Sequence, residues 1–307
     1  MTTQTPTHII ACGQSVDIQT QVIPWTHRKG FTCPHPRGRS GCSQHDAELN
    51  NGPTRDPSEY IIQDPEAACR ELQQTVYQFV LHYDVCYSSY HCHQVLKNSP
   101  FMGSHFYLDL DGTIYQTCDL YWKTNTAPAD DRKGNERAVH VEMANLSWQA
   151  LKEESDLFKV PSDMYRKVRG RWRFELPEKY RKKLLTPDFQ AYAARAYGER
   201  GYFSRTVNGR RVRMWDFTEE QYQALIQLCR GLNQLLPGIA LKVPVDEETG
   251  RTPLGKIINF STFQGILGHA HVQAGETGGV KRKYDPGSAF DWARLRRSFQ
   301  EGERADR

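Results

Sequence analysis

The sequence predicts an α/β domain in which a mixed central sheet is flanked by helices. Three observations carry this prediction. TVYQFVLH (75–82) is dense in β-branched and aromatic residues, and AVHVEM (138–143) alternates with the two-residue period of a strand. SHFYLDLDGTIYQT (104–117) reads as a hairpin, because Asp111-Gly112 favours a tight turn with positive φ. TEEQYQALIQLCRGLNQLL (218–236) repeats its apolar residues at helical spacing.

Residues 1–60 are rich in Pro, Gly, Thr and Asn and read as an irregular N-terminal arm. Within it, CPHPRGRSGCSQH holds Cys33, His35, Cys42 and His45, residue types that can bind structural zinc. Their spacing matches no familiar finger, so a metal-free loop is the expectation. Asp64 can cap a helix with Pro65 at its first position. The strand over 75–82 then ends at His82. In AVHVEM, Val139 and Val141 share one face, and His140 and Glu142 share the other.

From about 148 to 215 the pattern is interrupted by the basic runs RKVRGRW and PEKYRKK and by a second hairpin turning at Asn208-Gly209. We read this segment as an inserted basic subdomain within a larger domain spanning 61–299. Its Arg and Lys clusters form either a solvated face or an anion-binding one. Thr218 and Gln221 have the spacing of a capping box. INFSTFQGILGHAH then carries His269 out of a buried segment, and residues 300–307 read as a charged tail.

The chain has 307 residues, enough for one large domain or two small ones, with 40 Lys and Arg against 36 Asp and Glu. A net charge of +4 does not by itself point to nucleic acid, and no apolar run is long enough to span a bilayer. The N-terminus shows no secretory signal, and the compartment stays open. The eight cysteines are scattered without a CxxC pair, so buried free thiols are expected ahead of disulfides.

Three distant stretches supply candidate metal ligands: His82 in FVLHYD, His269 in ILGHAH and Asp285 in KRKYDPGSAFDW. Two imidazoles and one carboxylate leave a fourth position open for water, which separates catalytic zinc sites from structural ones. Glu142, on a strand between them, is the candidate to exchange protons with that water. His271 is a rival ligand two residues from His269. His91, Cys92 and His93 read as positions of a helix rather than as ligands.

Taken together, FVLHYD…GSHFYLDLDGTIYQ…AVHVEMAN…ILGHAH…KYDPGSAFDW resembles the type 2 N-acetylmuramoyl-L-alanine amidases. That superfamily includes bacteriophage lysozyme amidases and peptidoglycan recognition proteins. The resemblance covers roughly 65–145 and 216–295, with the motifs in the family's order. It implies a zinc enzyme that cuts the amide between N-acetylmuramic acid and L-alanine, with peptidoglycan or muropeptides as partners. His82, His269 and Asp285 match the metal ligands, Glu142 matches the catalytic glutamate, and Lys283 matches a lysine that supports the oxyanion. Cys86 and Cys92 resemble cysteines that can bridge in recognition proteins.

The chain also departs from the family. The usual W-H-A is replaced within YWKTNTAP, where Thr126 stands in the substrate-contacting loop. His140 takes the place of a small residue, and Ser104 that of a tyrosine. These three are the expected substrate contacts. The same resemblance leaves open a non-catalytic muropeptide-binding module, or an amidase acting on another conjugate. Oligomeric state is not legible.

Overall fold

The computed structural model describes residues 6–33, 36–40, 42, 62–99, 102–146, 149–151, 164–276 and 279–305. His35 and His45 of the cysteine-histidine stretch lie outside the described residues. The N-terminal part forms β1 (His8–Ala11), β2 (Gln14–Asp17) and β3 (Val22–Pro24), followed by α1 (Pro65–Thr75) and β4 (Gln78–Tyr83). Next come α2 (Ser89–Leu96), β5 (Phe106–Leu108), β6 (Ile114–Gln116), α3 (Gly134–Arg137) and β7 (Ala138–Met143). The basic segment holds β8 (Gln149–Leu151), β9 (Tyr165–Val168), β10 (Arg171–Phe174), α4 (Glu178–Arg181), β11 (Phe203–Val207) and β12 (Arg210–Met214). The chain closes with α5 (Glu219–Leu235), β13 (Gly265–Gly268), α6 (His269–Val272) and α7 (Trp292–Ala305). No described helix is long and apolar enough to cross a membrane.

Six strands form the central sheet in the order β13-β4-β7-β5-β6-β3. The first four run parallel and β5–β6 is antiparallel, so the sheet is mixed. Phe79, Leu81, Val139 and Val141 point from one face into the main core, against Leu72 of α1, Leu225, Leu228 and Leu232 of α5, and Leu295 and Phe299 of α7. Cys92 and Leu96 of α2 pack on the other side with Ile23, Tyr107 and Tyr115. The two faces of β7 therefore differ as its alternation predicts. The valines bury in the core, and His140 and Glu142 turn toward the site.

Local signals explain several elements. The Asp64 carboxylate accepts the Ala67 N–H and caps α1. Thr218 and Gln221 complete a reciprocal capping box on α5. Gly112 adopts φ +81° at the first hairpin, and Asn208 and Gly209 both adopt positive φ at the second. Other elements escaped the sequence reading. Residues 8–24 form three short strands, and β3 joins the sheet edge beside β6. Strands of three or four residues, broken by Gly and Pro, leave no alternation to detect. The helix α7 continues through Ala305, into the stretch that reads as a charged tail. All eight cysteines are buried free thiols.

Candidate metal centre

Strand register builds the site. In the parallel pair β13–β4, Gly268 lies opposite Leu81, so the next residues, His269 and His82, leave the sheet side by side. In the parallel pair β4–β7, His82 lies opposite Glu142. Neighbouring parallel strands lie about 4.8 Å apart. One row across three adjacent strand ends therefore carries His269, His82 and Glu142, and the loop before α7 returns Asp285 to the same row.

Four polar contacts fix the cluster. His82 Nδ1 lies 2.9 Å from Asp285 Oδ2, and His269 Nδ1 lies 3.0 Å from the same oxygen. The two Nδ1 atoms are 3.0 Å apart. The outer nitrogen of His269, Nε2, faces Gln273 Oε1 at 3.1 Å. The three candidate ligand atoms thus form a nearly equilateral triangle in a buried setting. Tetrahedral zinc with bonds of about 2.0–2.1 Å needs ligand separations of about 3.3–3.4 Å. The triangle is slightly smaller than that, and its donors (two ring nitrogens and one carboxylate oxygen) are those zinc takes. The residues present fit a zinc ion.

The charges support the same reading. Burial first, and then the neighbouring His269, push His82 down to about 4, so it is neutral at neutral pH. Burial opposes ionisation of Asp285, but the two imidazoles outweigh it and hold the carboxyl well below its usual range. A neutral imidazole and an ionised carboxylate are the states in which these groups bind a metal. Glu142 is pushed well above the carboxylate range by burial and then by Asp285 and Asp84, with Lys283 opposing.

The cluster opens into a cleft of about 330 Å³ lined by His82, Glu142, Lys283 and Asp285, and also by Asp84, Cys86, Cys92 and Thr126. Asp84, Cys86 and Cys92 form a second group whose ligand-type atoms lie within 4.8 Å of one another. Of the expected substrate contacts, Thr126 lies on the cleft wall, its hydroxyl donating to the Gly103 carbonyl. Ser104 and His140 are placed differently. Ser104 is buried and donates to the carbonyls of Phe106 and His140. His140 is fully buried beneath His82, with its Nδ1 at 3.4 Å from His82 Nε2. Neither residue lines the cleft, so their placement is that of supports rather than of surfaces a ligand touches.

His271 does not share a face with His269, because the chain turns helical at His269 rather than continuing as a strand. Its Nδ1 accepts the Gly268 N–H, and its Nε2 donates to the Pro253 carbonyl. His91 and His93 also point elsewhere: His91 packs on Tyr180, and His93 stacks on Phe31.

Sequence reasoning missed Gln273, which is four residues after His269 and falls beneath it only once that turn is helical. It also missed Gly268, where an added Cβ would lie 2.4 Å from Pro286 Cδ and 3.0 Å from the Asp285 carbonyl oxygen. A third omission is Arg39, buried at 1 % exposure. Its guanidinium donates to the carbonyls of Asn135, Glu136, Ala138, Leu120 and Trp122 and lies 3.0 Å from His105 Nε2. His105 Nδ1 in turn accepts the backbone N–H of His140.

No family model matches the chain, and no curated protein does. Among solved structures it is similar to the crystal structure of a selenomethionine AmpD derivative. That match has 13% identity and a TM-score of 0.38 over 88% of this chain and 94% of that one. A likeness of that degree decides nothing about activity, and the functional reading rests on the chain's own residues.

Proposed function

We propose that this chain is a zinc-dependent amidase that hydrolyses the bond between N-acetylmuramic acid and L-alanine in peptidoglycan or muropeptides. One observation supports it above the others. Three metal-type ligand atoms converge within 3.0 Å of one another at the end of a cleft that also holds Glu142 and Lys283. The motif set that resembles the type 2 amidases supplies the substrate class.

In this reading His82, His269 and Asp285 hold zinc, and the ion supplies a polarised carbonyl and water of lowered pKa. A bound cation would favour the ionised form of Glu142, which in that state would take the proton of the attacking water and pass one to the leaving amine. Lys283 faces the negative charge that develops on the carbonyl oxygen. His140 receives a proton contact from His82 Nε2, which leaves the Nδ1 lone pair of His82 facing its partners. Gln273 does the same for His269. Such outer contacts orient ligands and tune their basicity. Thr126 lies where the glycan or peptide passes.

The test incubates purified peptidoglycan, and separately soluble muropeptides, with the wild-type chain and with Glu142→Ala, each with and without chelator. Free peptide released only by the wild type without chelator is the expected result, with zinc retained by the variant. Tight binding without release would replace the enzyme by a recognition module, and full activity of the variant would remove Glu142 from its role.

A further inference from the structure

A second cavity, of about 550 Å³ against about 330 Å³ for the cleft, shares no lining residue with it. Four guanidiniums reach it from three separate parts of the chain. Arg195 and Arg205 come from the basic segment, Arg251 follows the turn at 246–250, and Arg296 lies on α7. We propose that this cavity is a binding site for a multivalent phosphate ester.

The charge inventory carries the argument. Asp291 is the one carboxylate among the lining residues. It is already engaged on both oxygens: Oδ1 accepts the Arg294 N–H at the start of α7, and Oδ2 pairs with Arg195 Nη1 at 3.0 Å. Arg195 is likewise committed, since its Nε pairs with buried Asp216 at 2.7 Å and its Nη2 donates to the Ala289 carbonyl. Arg195 therefore forms a fixed wall.

Arg205, Arg251 and Arg296 are different. Among the described residues none of them has an acidic partner. Arg205 lies over the Phe203 ring at 5.3 Å, and Arg296 spends one nitrogen on the Gly250 carbonyl at 2.8 Å. Three like charges around one concavity repel one another, and an anion between them reverses the sign of that interaction.

The geometry selects the kind of anion. A planar carboxylate is satisfied by a single bidentate fork, whereas a tetrahedral phosphate presents oxygens in several directions. Donors arriving from three segments match the second case. The volume exceeds what one oxyanion needs, and Leu254, Phe290 and Trp292 give the cavity an apolar wall for the organic part of an ester. The proposal is independent of the metal centre.

Calorimetric titration of the full chain tests it with inorganic pyrophosphate, a glycerol-phosphate oligomer and citrate as probes. The proteins are the wild type, the double variant Arg205→Ala/Arg251→Ala, and the control Arg171→Ala/Arg213→Ala, whose arginines lie outside the cavity. The first pair of side chains is exposed, so the fold is retained, and a thermal melt verifies this. Expected are binding of both phosphate probes to wild type and control, at least tenfold weaker binding to the cavity variant, and at least tenfold weaker binding of citrate. The oligomer binding more tightly than pyrophosphate identifies a polymeric source, and the reverse order a small phosphorylated molecule. Both orders support the site. Equal losses in the control and cavity variants, no loss in the cavity variant, or citrate binding as tightly as pyrophosphate would overturn it.

Discussion

Replacing Gly268 with alanine tests how the proposed metal centre is assembled. Gly268 ends β13, held in register opposite Leu81, and the Asp285–Pro286 segment packs directly on it. A methyl group there would lie 2.4 Å from Pro286 Cδ, about an ångström short of ordinary contact, and 3.0 Å from the Asp285 carbonyl. The strand is pinned by its ladder, so the loop yields. The tie nearest the clash is the hydrogen bond from the Ala270 N–H to the Asp285 carbonyl at 2.9 Å, while Asn208 and Gln273 hold Lys283 two residues before it. Overpacking of this size costs about 1–3 kcal/mol. Metal ligands tolerate only about 0.2 Å of displacement, so most of that cost falls on the zinc-bound state. A penalty of about 1.4–2.8 kcal/mol weakens zinc binding roughly 10–100-fold. Competition against a chromophoric chelator reads the affinity, and a melt of the zinc-free variant reads the fold. A Gly268→Ala protein that binds zinc within twofold of wild type would refute this account of the assembly.

Other outcomes follow from the same geometry. His140→Leu removes the contact at His82 Nε2 and is expected to weaken zinc binding about 10–100-fold. His140→Asn keeps an acceptor near the lost Nδ1 and recovers part of it, and equal affinities in all three proteins would count against an orienting role. Zinc at 100 times its dissociation constant is expected to stabilise the fold by about 2.7 kcal/mol, read as a raised denaturation midpoint that chelator reverses. His105 is driven well below its usual value by burial and then by Arg39, so the unfolded state binds its proton first as pH falls. Its contribution is full above pH 6.5 and declines at up to about 1.4 kcal/mol per pH unit below it. Asp109, raised by burial and then by Asp111, works in the opposite direction, so His105→Gln must be compared with wild type. Parallel stability curves for the two proteins from pH 6.5 to 4.5 would show that His105 does not supply the slope.

Much of this was legible because it depends on local chemistry. The alternation in AVHVEM separated Val139 and Val141 from His140 and Glu142, and the turn residues at 111–112 and 208–209 fixed both hairpins. The candidate ligands His82, His269 and Asp285 could be chosen from their motifs, and the structure brings the three side chains together. What escaped depends on contacts distant in sequence. Nothing near Ser104 or His140 says that each is sealed under the cleft rather than lining it. The turn at His269 was hidden because HAHV is too short to show helical periodicity, and with it went the partnership with Gln273. Arg39 sits in a stretch composed like a loop, and only the folded chain surrounds it with carbonyls.

Arg39 has a practical consequence for anyone shortening this protein. A version begun after residue 60 would look like a tidy catalytic unit on a diagram. It would also strip five backbone oxygens of their shared donor and leave His105, which accepts the backbone N–H of His140, to face a hole. It would take β3 from the border of the sheet as well. The leading segment is better regarded as a keystone inserted from the side than as an appendage, and expression trials should keep it whole.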